Sequence, residues 1–499
     1  MRRAGILLHP TSLPGRHGIG DAGAEAVCFL DWAAAAGFRV WQVLPLGPTG
    51  HGNSPYSALS LFAGNPLLIP PEGLVRAGLL PAAALDVVPG FPDDRVDFEE
   101  VRAWKDRLLQ RSWEAAVAGA TPAARAVREE AAAWGSAAER RGWLGDWTLY
   151  AAIKERHGGA AWMNWDAPIA QREAPALAEA EKALVAPREY HAFVQWLFAR
   201  QWAALRAAAR ERGIAILGDA PIYPAMDSAE VWGRRDLFQF GPDGLPESVA
   251  GVPPDYFSAT GQLWGNPLYR WDRLEEEGFA WWIARARAGL DTCDFLRLDH
   301  FRGFAGYWAM PAGAKSATAE AGGRWLPGPG MRLFDELRSA LGGLPFVAED
   351  LGDVDDGVRA LLRDTGLPGM RVLQFGLLDP TSTHHPSRHV ANSVSYTGTH
   401  DNDTARGWFE VLSDEERSRV LAEVGGDGSD ISGAMIRCAM ASPAELAVVP
   451  MQDVLGLGNE ARMNTPGLAD GNWGWRVGGS AGELRTLPAK AIAARGSNK

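Results

Sequence analysis

Eight short apolar runs place the strongest constraint on the fold of this chain. They are "AGILLHP" (4–10), "RVWQVLPL" (39–46), "IAILGDAPIY" (214–223), "CDFLRLDHF" (293–301), "PFVAED" (345–350), "GMRVLQFG" (369–376), "SVSYTG" (393–398) and "ELAVVPMQD" (445–453). Near-continuous apolar strands that alternate with helices indicate a parallel sheet covered on both faces. Eight such strands predict an α/β chain folded as a (β/α)8 barrel, with an open doubly wound sheet as the competing architecture.

Acidic side chains follow four of these runs. Asp219 comes after "IAILG", Asp299 after "FLRL", Glu349 after "PFVA" and Asp401 after "SYTGTH". Barrel active sites are built at the carboxyl ends of the strands, from the loops that follow them. The repeated pattern therefore favours the barrel over the open sheet and predicts the position of its active site.

The spacing of the runs predicts large insertions. Residues 47–213 separate the second run from the third, far more than the roughly 30 residues of a plain βα unit. Much of this interval is rich in Ala, Arg and Glu, which are strong helix formers. We therefore predict a catalytic barrel formed by 1–46 and 214–499, interrupted by a largely helical inserted subdomain at 47–213.

A second insertion, residues 240–271, is rich in Gly, Pro and aromatic residues. A loop of this length without regular structure is usually functional or disordered. Its aromatic side chains, Tyr256, Phe257, Trp264 and Tyr269, argue against disorder. The segment is therefore predicted to be an aromatic active-site loop.

Charge and cysteine usage limit the partners and the compartment. The net charge is −12 and no long basic run is present, which disfavours nucleic acid and anionic membranes as partners. Three widely spaced cysteines, Cys28, Cys293 and Cys438, show no disulfide or zinc pattern. The apolar run near the N-terminus is too short for a signal peptide, so a cytoplasmic protein is predicted. No Gly-rich phosphate motif appears, and no cofactor is expected.

The carboxylates have the environments that glycoside chemistry requires. Arg297 and Asp299 share one face of a strand, and a guanidinium lowers the pKa of a nearby carboxyl; this fits either a carboxylate nucleophile or a plain buried ion pair. Glu349 follows apolar residues and precedes Asp350, and both surroundings raise a carboxyl pKa, as a general acid needs. Asp401 has hydrogen-bonding neighbours suited to sugar hydroxyls. The excess of 21 Trp over 8 Tyr weakly favours carbohydrate, since indole faces pack on sugar rings.

Two other readings of the same residues stay open at this point. Histidines and carboxylates at the mouth of a barrel could bind a divalent metal for hydrolysis. Against this, no HxH or HExxH spacing appears, and Arg297 and Arg302 would place positive charge beside the cation. The other reading is a glucan-binding barrel without turnover, which would need no paired nucleophile and acid.

Longer motifs extend from the first predicted strand to the last. They are "LLHPTSLPGRHGIGD" (7–21), "GNSPYSALSLFAGNPLLI" (52–69), "GDAPIYPAMDSAEVW" (218–232), "GVPPDYFSATGQLWGNPLY" (251–269), "LRLDHFRGF" (296–304), "VAEDLG" (347–352), "YTGTHDNDT" (396–404) and "LGLGNEARMNTPG" (455–467). In this order they resemble the 4-α-glucanotransferases, also called amylomaltases or disproportionating enzymes, of the α-amylase superfamily. The resemblance implies retaining transfer of an α-1,4-glucan segment to the 4-hydroxyl of another glucan or of glucose. An α-glucan hydrolase of the same superfamily is the alternative, because the carboxylates alone do not distinguish transfer from hydrolysis.

The resemblance also implies residue roles. Asp299 matches the nucleophile, Glu349 the acid/base and Asp401 the transition-state stabiliser. The implied substrate-binding residues are Arg297, His300, His400, Asp219, Tyr56 and Trp264. The loop 52–69 is expected to face the substrate. Malto-oligosaccharides and other α-1,4-glucans are the expected partners, and the chain is expected to be a monomer or a weak homo-oligomer without a bound metal.

Each substrate-binding role has a structural alternative. Tyr56 and Trp264 could instead seal an insertion against the barrel, and Asp219 could cap the helix that follows its strand. For His300 and His400, a hydrogen bond within the site competes with direct contact to the sugar.

Overall fold

A closed barrel of eight parallel strands forms the centre of the molecule. The computed structural model describes residues 2–119, 121–242, 244–254, 261–468 and 470–478. Its strands are β1 (Arg3–Leu7), β2 (Val40–Gln42), β3 (Ala215–Ala220), β4 (Ser248–Val252), β5 (Gln262–Pro267), β6 (Phe295–Leu298), β7 (Gly306–Pro311), β8 (Arg324–Pro327), β9 (Phe346–Ala348), β10 (Gly369–Val372), β11 (Ser393–Tyr396) and β12 (Leu446–Pro450). The barrel order is β1-β12-β11-β10-β9-β6-β3-β2, with parallel pairing throughout. Each predicted apolar run overlaps one barrel strand, so the (β/α)8 prediction is confirmed.

Apolar side chains, several of them valines, fill the inside of the barrel. Val40, Val347, Val394 and Val448 belong to one buried cluster there. Gly5 on β1 leaves room for them, because a Cβ at this position would lie 2.9 Å from Val448 Cγ2 and 3.2 Å from Val40 Cβ. The interior is therefore a packed core, and reacting groups can be presented only at its end.

Helices surround the barrel and fill the long insertion. They are α1 (Ala24–Ala35), α2 (Pro71–Arg76), α3 (Phe98–Ala118), α4 (Pro122–Gly135), α5 (Ala138–Arg156), α6 (Ala167–Ala170), α7 (Ala174–Ala183), α8 (Val185–Glu211), α9 (Ala229–Gly233), α10 (Trp271–Glu276), α11 (Ala280–Thr292), α12 (Arg302–Ala305), α13 (Met331–Leu341), α14 (Asp356–Thr365), α15 (Leu373–Gly376), α16 (Ala405–Glu410), α17 (Asp414–Val424), α18 (Ile431–Ala441) and α19 (Met451–Val454). Within the described ranges, no helix has both the length and the apolar character needed to cross a membrane.

Helix α8 connects the insertion to the barrel. On one side it packs against α1, α11 and β3, and on the other against α3, α4 and α5. Its buried aromatic side chains, among them Trp196, Phe198 and Trp202, belong to the same core cluster as Ile6 and Trp41 of the barrel. The helical part of 47–213 thus shares one apolar core with the barrel.

The segment 240–271 has more regular structure than the sequence suggests. Two of its stretches are the strands β4 and β5, which pair with β7 and β8 from further along the chain in an antiparallel sheet ordered β5-β4-β7-β8. Gly and Pro in and around these strands hide them from pattern analysis. Tyr256 and Phe257 lie outside the described residues.

Candidate active site

A buried arginine links two of the predicted carboxylates. Arg297, on β6, lies with Nη1 2.9 Å from each carboxylate oxygen of Asp219 on β3. The same nitrogen is 2.8 Å from Asp299 Oδ1. The side chains of Arg297 and Asp219 are buried, whereas that of Asp299 is 26% exposed. Asp299 is therefore the carboxylate of this group that can meet a substrate.

Glu349 is hydrogen-bonded to the peptide group that joins Asp299 to His300. It follows β9, and its Oε2 accepts a 2.7 Å hydrogen bond from the backbone N–H of His300. Its Oε1 accepts another, of 2.9 Å, from the N–H of Leu351. Burial raises the pKa of Glu349 to about 8, Arg297 opposes this shift, and the negative charge of Asp299 adds to it. The raised pKa favours the protonated carboxylic acid form of Glu349.

The like charge beside Glu349 does not come from the residue we expected. Asp350 instead lies 3.0 Å from Arg371 Nη1 and accepts a 2.6 Å hydrogen bond from the N–H of Met370. Consecutive residues at a strand end point in opposite directions, so Asp350 faces away. The expectation about Asp350 was wrong, and Asp299 supplies the charge.

His300 enters the site through an unusual backbone conformation. Strand alternation would place it on the face opposite Asp299, but its φ is +50°, in the left-handed region that few non-glycine residues adopt. The turn brings its ring edge-on to Trp264 on β5, with ring centroids 4.7 Å apart. Burial lowers the pKa of His300 to about 3, with the charge of Arg302 adding to the shift. Burial therefore favours the neutral imidazole.

The third predicted carboxylate belongs to an aromatic cluster on the other side of the barrel mouth. Asp401, in the loop after β11, has Oδ2 3.3 Å from His400 Nε2. The ring of His400 stacks on Tyr56 at 5.0 Å and 12°. Tyr56 Oη donates a 2.8 Å hydrogen bond to Asp219 Oδ2. A side chain of the loop 52–69 therefore joins the two halves of the site.

Asp219 does not cap a helix here. Its oxygens are occupied by Arg297 and Tyr56, and the N-cap of the following helix α9 is Ser228. Burial raises the pKa of Asp219 to about 6, against the effect of Arg297. Asp219 thus acts on the site by fixing the positions of these two neighbours.

Two further residues contact this cluster without having been singled out from the sequence. Asn464 Nδ2 donates a 2.6 Å hydrogen bond to Asp401 Oδ1, and the ring of Trp473 lies 5.8 Å from Tyr56 and 6.0 Å from His400. Asn464 lies within the motif "LGLGNEARMNTPG", which could have indicated it. Trp473 carries no such signal, because only the folded chain brings residue 473 to residue 56.

All nine sequence-predicted site residues form one connected set. The contacts run from Asp401 through His400 and Tyr56 to Asp219, then through Arg297 to Asp299, and through His300 to both Glu349 and Trp264. Trp264 is 37% exposed at the rim, and its indole N–H is bonded to Gln262 Oε1 at 3.2 Å. The roles of these residues stay predictions.

The metal-binding reading finds no support in the geometry. Across the described ranges, no group of three or more His, Cys, Asp or Glu side chains is arranged to hold a metal ion. Arg297 occupies the space between Asp219 and Asp299 and already supplies a positive charge to both carboxylates. The arrangement suits proton transfer and nucleophilic attack by carboxyl groups instead.

Comparison with known proteins agrees with this arrangement. The family model described as 4-alpha-glucanotransferase matches residues 8–480. The 4-alpha-glucanotransferase of Thermus thermophilus is 47% identical over 487 residues, covering 95% of each chain. That of Synechocystis sp. is 48% identical over 480 residues, covering 95% of this chain and 94% of the relative. The structure of amylomaltase from Streptococcus agalactiae in complex with acarbose superposes with a TM-score of 0.92 at 35% identity, covering 99% of both chains. The chain therefore belongs to the 4-alpha-glucanotransferase family.

Proposed function

We propose that this protein is a retaining 4-α-glucanotransferase that moves α-1,4-glucan segments from a donor chain to the 4-hydroxyl of an acceptor glucan or of glucose. The observation that carries the proposal is the pair of unlike carboxyl groups. Asp299 lies beside the guanidinium of Arg297, and Glu349 is buried with a pKa raised to about 8. A nucleophilic carboxylate and a protonated acid are the two groups that retaining glycoside cleavage requires.

In the first step Asp299 attacks the anomeric carbon of the donor. The glycosidic bond breaks as the carboxylate oxygen bonds to C1, and the proton of Glu349 passes to the departing 4-oxygen. The products are a glycosyl-aspartate ester and a shorter glucan with a free 4-hydroxyl. The backbone N–H groups of His300 and Leu351 accommodate the negative charge that remains on Glu349.

In the second step the roles of Glu349 reverse. Its carboxylate removes the proton from the 4-hydroxyl of an acceptor, whose oxygen attacks C1 and releases Asp299. Two inversions at C1 retain the α configuration. Asp401, held by Asn464, lies across the site, where its charge would stabilise the positive charge that develops on the sugar ring.

Transfer instead of hydrolysis requires a sugar to take the place of water in the second step. Trp264, half-exposed and edge-on to His300, is suited to hold an acceptor ring beside Glu349. Arg297, His300, His400, Asp219 and Tyr56 would surround the sugar that is attacked. A hydrolase would share the carboxylates and differ in this acceptor contact.

We assign the remaining features in the same way. The barrel of 1–46 and 214–499 is the catalytic unit, 47–213 is an inserted subdomain whose loop 52–69 faces substrate, and 240–271 is an active-site segment. Contacts of Tyr56 with Asp219 and of Trp264 with His300 support these assignments. The net charge of −12 fits a neutral glucan substrate better than nucleic acid or an anionic membrane. A cytoplasmic monomer or weak homo-oligomer that needs no cofactor completes the proposal.

The test is incubation with maltotriose followed by chromatography of the products. We expect a ladder of longer oligomers together with glucose. Asp299→Asn should keep the fold, judged by circular dichroism and melting, and lose at least about 10⁴-fold of this activity. The matched control Asp335→Asn, on the exposed side of α13, should keep full activity.

The alternatives give different results in the same assay. Glucose and maltose without longer products would indicate a hydrolase, and no change in maltotriose would indicate a binding protein. Substantial turnover by Asp299→Asn would remove Asp299 from the nucleophile role. Activity that is lost on treatment with EDTA and restored by a divalent ion would favour the metal-dependent reading.

A further inference from the structure

A second exposed tryptophan lies outside the site described above. All 21 Trp residues fall within the described ranges, and among them only Trp264 and Trp325 are exposed, at 37% and 40%. Trp325 is on β8, the edge strand of the antiparallel sheet, opposite Trp308 on β7. A large indole that stays exposed on a rigid strand is a candidate binding surface for a flat ligand.

The ring of Trp325 is held from beneath by a charged group. The guanidinium carbon of Arg302 lies 3.8 Å from the ring centroid, which is a stacking distance, and the ring of Trp308 packs edge-on at 5.1 Å. Arg302 is itself fixed, with Nη2 3.0 Å from Asp355 Oδ2 and Nη1 bonded to the carbonyl oxygen of Asp353. These contacts hold one face and one edge of the indole in place. Binding a ligand to its exposed surface would therefore cost little side-chain conformational entropy.

Hydrogen-bonding groups border this platform. The carboxylate of Asp353 is 3.4 Å from Arg302 Nη1 and 71% exposed. The indole N–H of Trp325 has no hydrogen-bond partner among the described residues. An apolar ring face beside a carboxylate and an indole N–H without a partner in the described part of the chain matches a pyranose, whose C–H face stacks while its hydroxyls accept and donate.

The platform is tied to the acid/base side of the active site by two short chain segments. Arg302 follows His300 by two residues, and the N–H of His300 binds Glu349. Asp353 follows Glu349 by four residues in the loop that leads to α14. The acid/base contacts the oxygen that joins the reacting sugar to the leaving or accepting chain. Short stretches of chain therefore connect the platform to the side of the site where that oxygen lies.

We propose that Trp325, stacked on Arg302 and bordered by Asp353, is an outer binding subsite for the acceptor glucan and, equally, for the departing part of the donor. This inference rests on the function proposed above and extends it to the recognition of chain length. A glucose acceptor is too short to reach the platform, whereas an acceptor of several sugars gains a stacked ring. The subsite would thus favour transfer to longer chains.

The experiment varies acceptor length with a donor that leaves this subsite empty. With α-maltotriosyl fluoride, Asp299 displaces fluoride ion and forms the glycosyl ester, and Glu349 releases its proton to solvent. The 4-hydroxyl of the added acceptor then attacks C1, displaces Asp299 and gives its proton to the Glu349 carboxylate. In Trp325→Ala we expect KM for maltotetraose as acceptor to rise about five- to tenfold, the effect of losing one stacked ring. KM for glucose and kcat should stay within about twofold of the wild type. Trp325→Phe should recover a good part of the loss, because it keeps an aromatic face.

Three results would overturn the subsite. An equal loss with glucose and maltotetraose, at unchanged melting temperature, would mean that Trp325 only covers Arg302. Unchanged kinetics together with loss of a dimer in sedimentation would assign the surface to a second copy of this chain. If Trp325→Ala does not fold, the same assay is done with Trp325→Phe and Asp353→Ala. Acceptor kinetics like those of the wild type in both variants would also reject the proposal. The control Val87→Ala, at an exposed apolar residue before α3, should behave as the wild type.

A binding measurement separates this inference from the catalytic proposal. Calorimetry with maltoheptaose would compare Asp299→Asn with the double variant Asp299→Asn, Trp325→Ala. We expect Kd to rise about five- to tenfold in the double variant, and an unchanged Kd would contradict the subsite whatever the activity assays show. A failure of the catalytic proposal would instead appear as absent transfer by the wild-type protein.

Discussion

The pKa of Glu349 depends on its buried position and on the charges of Arg297 and Asp299 close to it. Arg297 is the positive charge nearest to Asp219 and Asp299, so its charge is divided between two carboxylates. For Glu349, burial and the repulsion of Asp299 outweigh the opposing effect of Arg297, and the pKa of Glu349 rises to about 8. A single arginine among three carboxyl groups thus leaves Glu349 with a raised pKa.

This arrangement predicts a pH dependence that changes with the leaving group. With a malto-oligosaccharide donor, kcat/KM should fall about tenfold per pH unit above about 8, because the leaving oxygen needs the proton of Glu349. With α-maltosyl fluoride as donor and kcat/KM measured for that donor, the fall should disappear, since fluoride leaves without protonation. The measurement is initial rates from pH 5.5 to 10 for both donors. A common alkaline limb would show that the titrating group is not the leaving-group acid.

At the scale of elements, the connection between insertion and barrel includes a buried ion pair. Lys105, on α3, has Nζ 2.9 Å from Asp21 Oδ2, and both side chains are buried. The same ammonium donates to the carbonyl oxygens of Leu67 and Ile69, at 2.7 Å and 3.1 Å. It therefore joins α3, the end of the loop 52–69, and the chain between β1 and α1.

Lys105→Met should strongly destabilise the fold. The change leaves the buried carboxylate of Asp21 without its counter-charge, and breaking such a pair from one side costs about 3–5 kcal/mol. Thermal and urea unfolding would measure the loss. Arg107→Met, at an exposed position of the same helix, should change stability by less than about 0.5 kcal/mol.

The double variant Lys105→Met, Asp21→Asn tests the cause of that loss. Removing both charges should recover most of the stability, since the uncompensated carboxylate is then absent. Additive losses in the double variant would mean that the packing of the lysine chain matters more than its charge.

Elements formed by local sequence patterns could be predicted from the sequence, whereas elements that depend on contacts between distant parts of the chain could not. The eight barrel strands were recognisable because strands buried on both faces are continuous apolar runs. The antiparallel sheet was missed, because β4 and β5 contain Gly and Pro and their partners β7 and β8 lie across α10, α11 and β6. The left-handed turn at His300 and the approach of Trp473 to Tyr56 depend on tertiary packing, which no local pattern encodes.

At the scale of the whole molecule, the described residues form one large apolar cluster that includes both barrel and insertion. Ile6 and Trp41 of the barrel share it with Trp104, Trp147 and Trp196 of the insertion. Separate domains would each have a core of their own. The insertion is a separate segment of the sequence, but it is therefore expected to unfold together with the barrel in a single cooperative transition.

Differential scanning calorimetry tests that expectation. We expect one transition in the wild type, with equal calorimetric and van't Hoff enthalpies, because melting the insertion alone would expose the barrel surface against which α8 packs. Lys105→Met sharpens the test, since it weakens the connection between the insertion and the barrel. A shared core predicts that the whole transition moves to lower temperature without splitting, whereas an independent insertion would melt first and leave a second transition at the wild-type temperature. The latter result would also imply that Tyr56 can leave the active site while the barrel stays folded, so that activity would be lost before the main transition.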